Sequence, residues 1–183
     1  MHRLLLVLFS LSFVLSSCSD GDVLVFDLTF DEVLELCNDE NIGIDNYTDI
    51  NESYVVYDIN TDPNESLILL FPGDDAHDLI FYPQETSYEK TLIINGSSVR
   101  FNFRTYNGDP NLVVCAEIPS ENVNIKENFE ASEGEIQTIS TYEDENNVRT
   151  VTVSFTVVDF NLDILNSTSD FIGTYTHSYP VPD

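Results

Sequence analysis

The chain has 183 residues and a formal net charge of −27, with 6 lysines and arginines against 33 aspartates and glutamates. This charge excludes nucleic acid as a default partner, because phosphate binding needs clustered positive charge. It also predicts repulsion from anionic lipid head groups. Hydrophobic residues make up 42% of the chain, which excludes a disordered protein and predicts a folded core.

The first 17 residues have the pattern of a signal peptide. Met1-His2-Arg3 is a short positive segment, and residues 4–14 form an apolar run of the length that such leaders use. The run is too short for a permanent transmembrane helix, which needs about 20 apolar residues. We therefore expect residues 1–17 to be removed as a leader.

The residues Leu15-Ser16-Ser17-Cys18 resemble the lipobox of bacterial lipoproteins, in which a signal peptidase cuts just before the cysteine. The resemblance implies that Cys18 carries a diacylglycerol group, becomes the mature N-terminus and makes the membrane a partner. Two or more acyl chains hold a protein firmly on a membrane, whereas one chain holds it only marginally. The alternative is an ordinary secretory signal, with Cys18 inside it or just beyond it.

Residues 18–22 are expected to be the lipidated cysteine and an acidic tether. Ser19-Asp20-Gly21-Asp22 is similar to the acidic stretch that marks surface export in lipoproteins of the Bacteroidota. The serine after the cysteine also resembles the pattern for outer-membrane sorting. These resemblances imply a lipid-anchored outer-membrane protein at the cell surface, with a periplasm-facing protein as the alternative.

The remaining chain alternates apolar and polar residues over short stretches that turn signals separate. This period of two is typical of half-buried strands. The predicted strands cover residues 23–36, 54–59, 67–71, 91–95, 98–106, 112–117, 123–129, 135–142, 148–157 and 171–179, and a short apolar run lies at residues 79–82. About nine or ten short strands without a long helix predict an all-β fold, an antiparallel β-sandwich in a single domain over residues 23–183. A small β-barrel is the alternative.

Some strand pairings can also be predicted. The turn sequences favour hairpins over residues 54–71, 91–106 and 135–157, and Asn95-Gly96 is the strongest of these signals. The apolar phase slips by one residue after Val157, which predicts a β-bulge near Val157-Val158. Residues 171–179 are expected to form the last edge strand.

Two cysteines remain once Cys18 is assigned to the lipid. Cys37 and Cys115 are expected to form a disulfide, because cysteines in an oxidising compartment tend to pair. The bond would close a long loop and stabilise the fold by roughly 4 kcal/mol on the chain-entropy model. Two buried thiols, or a metal pair that lacks its other ligands, are the alternatives.

The chain carries no sequence signature of nucleophilic or zinc catalysis. No G-x-S-x-G, H-E-x-x-H or C-x-x-C motif occurs, and the mature chain has only His77 and His177. We therefore expect neither an enzyme nor a cofactor. A carboxylate-based hydrolase is the weakest alternative, since such sites leave no motif in an acidic chain.

Candidate binding residues can be named from the sequence, although no motif defines them as catalytic motifs would. Asp74, Asp75, His77 and Asp78 are the candidate metal ligands, in a stretch otherwise expected to be a hydrophilic loop. A sugar-binding platform would use the tyrosines near predicted strand ends, which are Tyr106, Tyr142, Tyr175 and Tyr179. Arg100 and Arg104 are expected to pair with carboxylates across strands, with a ligand clamp as the alternative.

Taken whole, the chain resembles small lipoproteins of flavobacteria. The resemblance rests on the lipobox and on residues 35–38, 57–65 and 114–119. It supports the pairing of Cys37 with Cys115 and implies no activity. We expect a non-catalytic interaction or accessory module of the cell envelope, with a protein or glycan partner. A glycan- or Ca²⁺-binding surface module is the alternative.

Overall fold

The computed structural model describes residues 33–37, 53–81, 87–162 and 171–180, and of Phe81 and Ile172 only the backbone. The predictions for the leader, for Cys18 and for the tether lie outside the described residues. The same holds for most of the first predicted strand.

The described strands form two antiparallel sheets, so the prediction of an all-β sandwich is confirmed. They are β1 (Glu35–Leu36), β2 (Ser53–Thr61), β3 (Asn64–Pro72), β4 (Ser87–Ile93), β5 (Arg100–Tyr106), β6 (Ile125–Glu130), β7 (Glu135–Glu145), β8 (Val148–Val158) and β9 (Phe171–Pro180). One sheet has the order β1-β2-β3-β5-β6 and the other β4-β7-β8-β9. The sheets do not close into a barrel, and the alternative fold is wrong.

The core lies between the two sheets. The inward residues of β8 are those that its period of two predicted, and each is at most 1% exposed: Val151, Val153, Phe155 and Val157. Phe155 contacts Phe71 of the opposite sheet, with ring centroids 5.8 Å apart. Phe101 meets Phe160 edge to face at 4.9 Å. Such aromatic pairs tie the sheets together over a large buried area.

Two of the three predicted hairpins are confirmed and the third is wrong. β2 pairs with β3 and β7 with β8, but β4 pairs with β7 and β5 with β3. The chain at Asn95 therefore passes from one sheet to the other. The Asn95 Oδ1 accepts hydrogen bonds from the backbone N–H groups of Ser97, Ser98 and Val99, at 2.9, 3.0 and 3.2 Å. This side-chain bonding forms a longer turn in place of a two-residue hairpin loop.

The loop predicted over residues 73–78 is wrong, because helix α1 spans Gly73–Phe81 and includes most of the short apolar run that begins at residue 79. Ala76, Leu79 and Ile80 have helical spacing and are buried in the core. Asp74 and Asp75 lie in the first turn, where negative charge is favourable.

Among the residues that the structure describes, no helix is long and apolar enough to cross a membrane.

The β-bulge predicted near Val157-Val158 is also wrong. The pairing of β7 with β8 continues without a shift to the end of the strand. The apolar phase slips at Asp159, whose φ of 53° ends β8 and redirects the chain. Phe160 and Leu162 then point into the core, where they are 7% and 0% exposed.

Candidate functional site: a cleft under the covering loop

Residues 107–124 connect β5 to β6 across the outer face of the five-stranded sheet, and we call them the covering loop. Its two ends are joined by Asn107, whose N–H donates to the carbonyl of Asn124 at 3.1 Å and whose Oδ1 accepts from the Asn124 N–H at 2.7 Å. The strand predicted over residues 112–117 is wrong, since a 3₁₀ turn at Pro110–Leu112 begins the loop instead. Compact loops with adjacent ends are often functional.

A disulfide fastens the middle of the covering loop to the edge of the sheet. Cys37 and Cys115 are bonded, with their Cα atoms 5.4 Å apart and 78 positions between them in sequence. The predicted pairing is confirmed, and the two alternatives are wrong. Cys37 lies on the outer face because Leu34 and Leu36, at alternate positions, are buried in the core.

A cleft of about 510 Å³ lies between the covering loop and the sheet. Its volume falls within the range of small-molecule sites. The described residues that line it are Cys37, Val55, Ile68, Leu70, Arg100, Asn102, Arg104, Val113, Val114, Cys115, Ala116 and Glu117. The floor is the outer face of β2, β3 and β5, and the roof is the covering loop. A neighbouring hollow of about 340 Å³ shares Arg104 with it.

One sequence pattern indicates that the outer face of this sheet is covered, and it is not an alternation of apolar and polar residues. Residues 67–71 are five consecutive apolar residues in one strand. Leu67 and Leu69 face the core, whereas Ile68 is 8% exposed under the covering loop. A continuous apolar run is typical of a strand that is covered on both faces. The run could therefore have predicted a second layer over this sheet.

Three polar side chains of β5 share its outer face, at alternate positions. Arg100, Asn102 and Arg104 line the cleft, while Phe101 and Phe103 point into the core. Asn102 is only 5% exposed, and its buried Oδ1 accepts no hydrogen bond from any described residue. An unsatisfied buried acceptor costs about 1–3 kcal/mol. A hydrogen-bond donor on a ligand would remove this cost.

The two arginines place positive charge in an otherwise acidic protein. The expected pairing with a carboxylate is found for Arg100, whose Nε lies 3.8 Å from Glu130 Oε1. Arg104 instead donates from Nε to the neutral Oδ1 of Asn128 at 2.6 Å. No carboxylate of the described residues lies within 4 Å of the Arg104 guanidinium. The charge of Arg104 can therefore attract an anion into the cleft.

The candidate metal ligands lie on α1, away from the cleft. Lys90 forms ion pairs with Asp75 and Asp78, with 3.0 Å between its Nζ and the Asp78 Oδ2. Burial lowers the pKa of Lys90, but hydrogen bonds to the two carboxylates outweigh this and raise it. Asp74 and His77 are exposed. In the described part of the chain, no three His, Cys, Asp or Glu side chains are grouped to hold a metal ion.

The four tyrosines do not form an exposed platform for sugars. Tyr106, Tyr175 and Tyr179 are 3%, 4% and 5% exposed, and Tyr142 is half-buried. The Tyr106 hydroxyl forms a buried hydrogen bond of 2.7 Å with Ser66 Oγ. Three of the four rings are thus part of the packed interior.

The lining of the cleft offers apolar, hydrogen-bonding and charged groups to a molecule that enters it. Both of its cysteines are in the disulfide, and Glu117 is the one carboxylate among the described residues that line it. These lining residues include no pair of a nucleophile and a general base. No protein-family model, no curated protein and no solved structure matches the chain. The function must therefore be inferred from the residues of the cleft.

Proposed function

We propose that the chain is a lipid-anchored protein of the cell envelope whose sandwich binds a small organic anion without transforming it. The lipobox resemblance around Cys18 supports the anchor, and the tether of residues 18–22 supports the outer membrane and the cell surface. The disulfide supports an oxidising compartment, since such bonds are rare in the cytosol.

The buried Oδ1 of Asn102 is the observation that carries the binding function. It lies in the floor of the cleft, between two arginines on the same strand face, without a donor among the described residues. A polar atom in this position is unfavourable for folding alone. An apolar cleft with a few convergent polar groups is typical of a ligand site.

Organic acids and neutral oligosaccharides, added to the purified full-length protein, test the binding function. We expect at least one organic acid to raise the midpoint of thermal unfolding in a saturable way, because a ligand stabilises the state that it binds. The oligosaccharides should leave the midpoint unchanged, and Arg104→Gln should abolish the effect of the acid. The binding function is wrong if no acid stabilises the protein.

Expression of the full chain in a bacterial host with a labelled fatty acid tests the anchor. We expect label on the wild-type protein and its recovery with the membranes, whereas Cys18→Ala should lose both. The matched control is the Cys37→Ala, Cys115→Ala double variant, which removes cysteines but should keep the label. A wild-type protein without label would contradict the anchor.

Protease treatment of intact cells tests the cell-surface location. A protein on the outer face should be digested while the cells remain closed, and a periplasmic marker protein should survive as the control. Replacing Asp20 and Asp22 by asparagine removes the charge of the tether and should protect the protein. Full protection of the wild type would place it on the periplasmic face instead.

A further inference from the structure

We infer that the ligand of the cleft is an N-acylated α-amino acid, held by its carboxylate, its amide N–H and an apolar side chain. This inference rests on the proposed binding function and names the chemical class of the ligand. Each of the three groups has a counterpart among the residues that line the cleft.

Arg104 is the counterpart of the carboxylate. Arg104 lines the cleft, and the hydrogen-bond acceptor of its guanidinium, Asn128, is uncharged. Guanidinium groups bind carboxylates through short, charge-assisted hydrogen bonds. A monoanion suits this cleft better than a dianion such as a phosphate monoester, because Glu117 also lines it and the whole chain is strongly negative.

Asn102 is the counterpart of the amide N–H. The Oδ1 of Asn102 can only accept, so its partner must be an N–H or O–H group of the ligand. Asn102 and Arg104 are two residues apart on the same face of β5, about 7 Å from Cα to Cα in a strand. In an acylated amino acid a single carbon separates the carboxylate from the N–H, so one small molecule can meet both side chains.

The apolar floor is the counterpart of the side chain. Val55, Ile68 and Leu70 present branched aliphatic groups to the cleft. No described residue that lines the cleft is aromatic, whereas the flat faces of sugars commonly stack on aromatic rings. A branched aliphatic side chain such as that of leucine fits this floor best.

The same chemistry has two sources, a free acylated amino acid and the carboxyl end of a peptide. Both present a carboxylate, an adjacent amide N–H and a side chain. They differ in what precedes the acyl group, and the cleft is partly open to solvent. Probes of two lengths therefore distinguish them.

Calorimetric titration of the lipidated protein in a non-ionic detergent tests the inference with N-acetyl-L-leucine and three altered forms. The methyl ester lacks the charge, (S)-2-acetoxy-4-methylpentanoate has an oxygen in place of the N–H, and N-acetylglycine lacks the side chain. We expect N-acetyl-L-leucine to bind and each altered form to bind at least about tenfold more weakly. A fifth probe, N-acetyl-Ala-Ala-Leu, should bind about tenfold more tightly than N-acetyl-L-leucine if the natural source is a peptide, and no more tightly if it is the free acid.

Two variants test which side chain of the protein binds the N–H and which binds the carboxylate of the ligand. Asn102→Leu should no longer prefer N-acetyl-L-leucine over (S)-2-acetoxy-4-methylpentanoate, because the acceptor that distinguishes them is gone. Arg104→Gln should likewise lose the preference for the acid over the ester. Lys126→Gln is the matched control, since it removes one positive charge from an exposed position that does not line the cleft. It should leave both preferences unchanged.

The outcomes separate this inference from the proposed function. If another organic acid binds and N-acetyl-L-leucine does not, the inference is wrong and the binding function stands. If no organic acid binds, both are wrong. If N-acetyl-L-leucine binds but Arg104→Gln and Asn102→Leu, shown to be folded by their thermal unfolding, keep both preferences, the site is elsewhere and the inference is wrong.

Discussion

Asn102 and Phe103 are consecutive residues of β5 whose side chains are both buried, 5% and 1% exposed, on opposite faces of the sheet. Phe103 stacks with Phe129, with ring centroids 6.0 Å apart. Asn102 lies in the cleft beneath the covering loop. The five-stranded sheet therefore has a core on one face and a polar, partly open layer on the other. The energetic roles of these two layers can be measured separately.

The outer layer should show a conflict between stability and binding at Asn102. Asn102→Leu removes the buried acceptor that no described residue satisfies, so we expect the free energy of unfolding to be unchanged or to rise by about 1–3 kcal/mol. Urea unfolding measures this change. Gln137→Leu, at an exposed position of β7, is the control and should change the value by less than about 0.5 kcal/mol. A clear loss of stability in Asn102→Leu would show that the asparagine serves the fold.

The inner layer should respond strongly to loss of volume at Phe101. This side chain is 0% exposed and contacts Phe160 and Phe171. Phe101→Ala should lower the free energy of unfolding by about 3–5 kcal/mol, since it leaves a cavity in the core. Ile139→Ala, at a position of β7 that is 46% exposed, should cost much less. Equal losses in the two variants, measured in urea, would contradict the described core.

Removal of the disulfide between Cys37 and Cys115 should lower the free energy of unfolding. The Cys37→Ser, Cys115→Ser variant should lose roughly 4 kcal/mol of unfolding free energy, because the unfolded chain regains the freedom of a long loop. Reduction of the wild-type protein should have the same effect, and unfolding in denaturant with and without reductant compares the two. A variant as stable as the oxidised wild type would contradict this prediction.

The β7–β8 hairpin should contain a carboxyl group with a low pKa. Arg149 donates from Nε to Asp144 Oδ1 and from a terminal nitrogen to Oδ2, both at 2.7 Å. These hydrogen bonds lower the pKa of Asp144 below its usual value. The pair therefore favours the folded state above the ordinary aspartate pKa, and this contribution is lost as the pH falls through the lowered pKa. NMR titration should find the low value in the wild type and an ordinary value in Arg149→Gln.

Alkaline pH should weaken the fold through Tyr142. Burial is the main cause that raises the pKa of its hydroxyl to about 12. The unfolded chain then loses this proton from about pH 10 upward while the folded chain keeps it, so stability falls as the pH rises from 10 to 12. Tyr142→Phe should make this decline less steep in urea unfolding at several pH values. An unchanged slope would contradict the assignment.

The sequence predicts local structure in this protein better than it predicts which strands meet. Residues 135–157 alternate regularly about a turn of two asparagines, Asn146 and Asn147, which adopt positive φ values of 54° and 62°. The pairing of that hairpin could be predicted, although β7 continues three residues beyond the predicted strand, to Glu145. Asn95-Gly96 carries a stronger turn signal, but β4 pairs with β7, more than 40 positions away. A local pattern contains no information about so distant a partner.

The sequence predicts neither helix α1 nor the cleft, and the physical reason differs between the two. The helix has only nine residues, and its apolar positions Ala76, Leu79 and Ile80 are too few to outweigh the polar residues between them. The cleft depends on a loop that crosses a sheet, and the position of such a loop follows from tertiary contacts. Arg104 could be noted in the sequence, but its partner Asn128 lies 24 positions away. Only the apolar run of residues 67–71 pointed to the covered face.

If the cleft binds a ligand as proposed, the bond between Cys37 and Cys115 also determines when binding can begin. The roof of the cleft is fastened by a bond that forms only under oxidising conditions. A chain newly made in a reducing cytosol can pair its strands, but it lacks the disulfide that fastens the covering loop to the edge of the sheet. If the protein is exported and lipid-anchored as proposed, such a chain would not withdraw metabolites from the cytosol on its way to the membrane. Binding competence would begin with arrival at the destination.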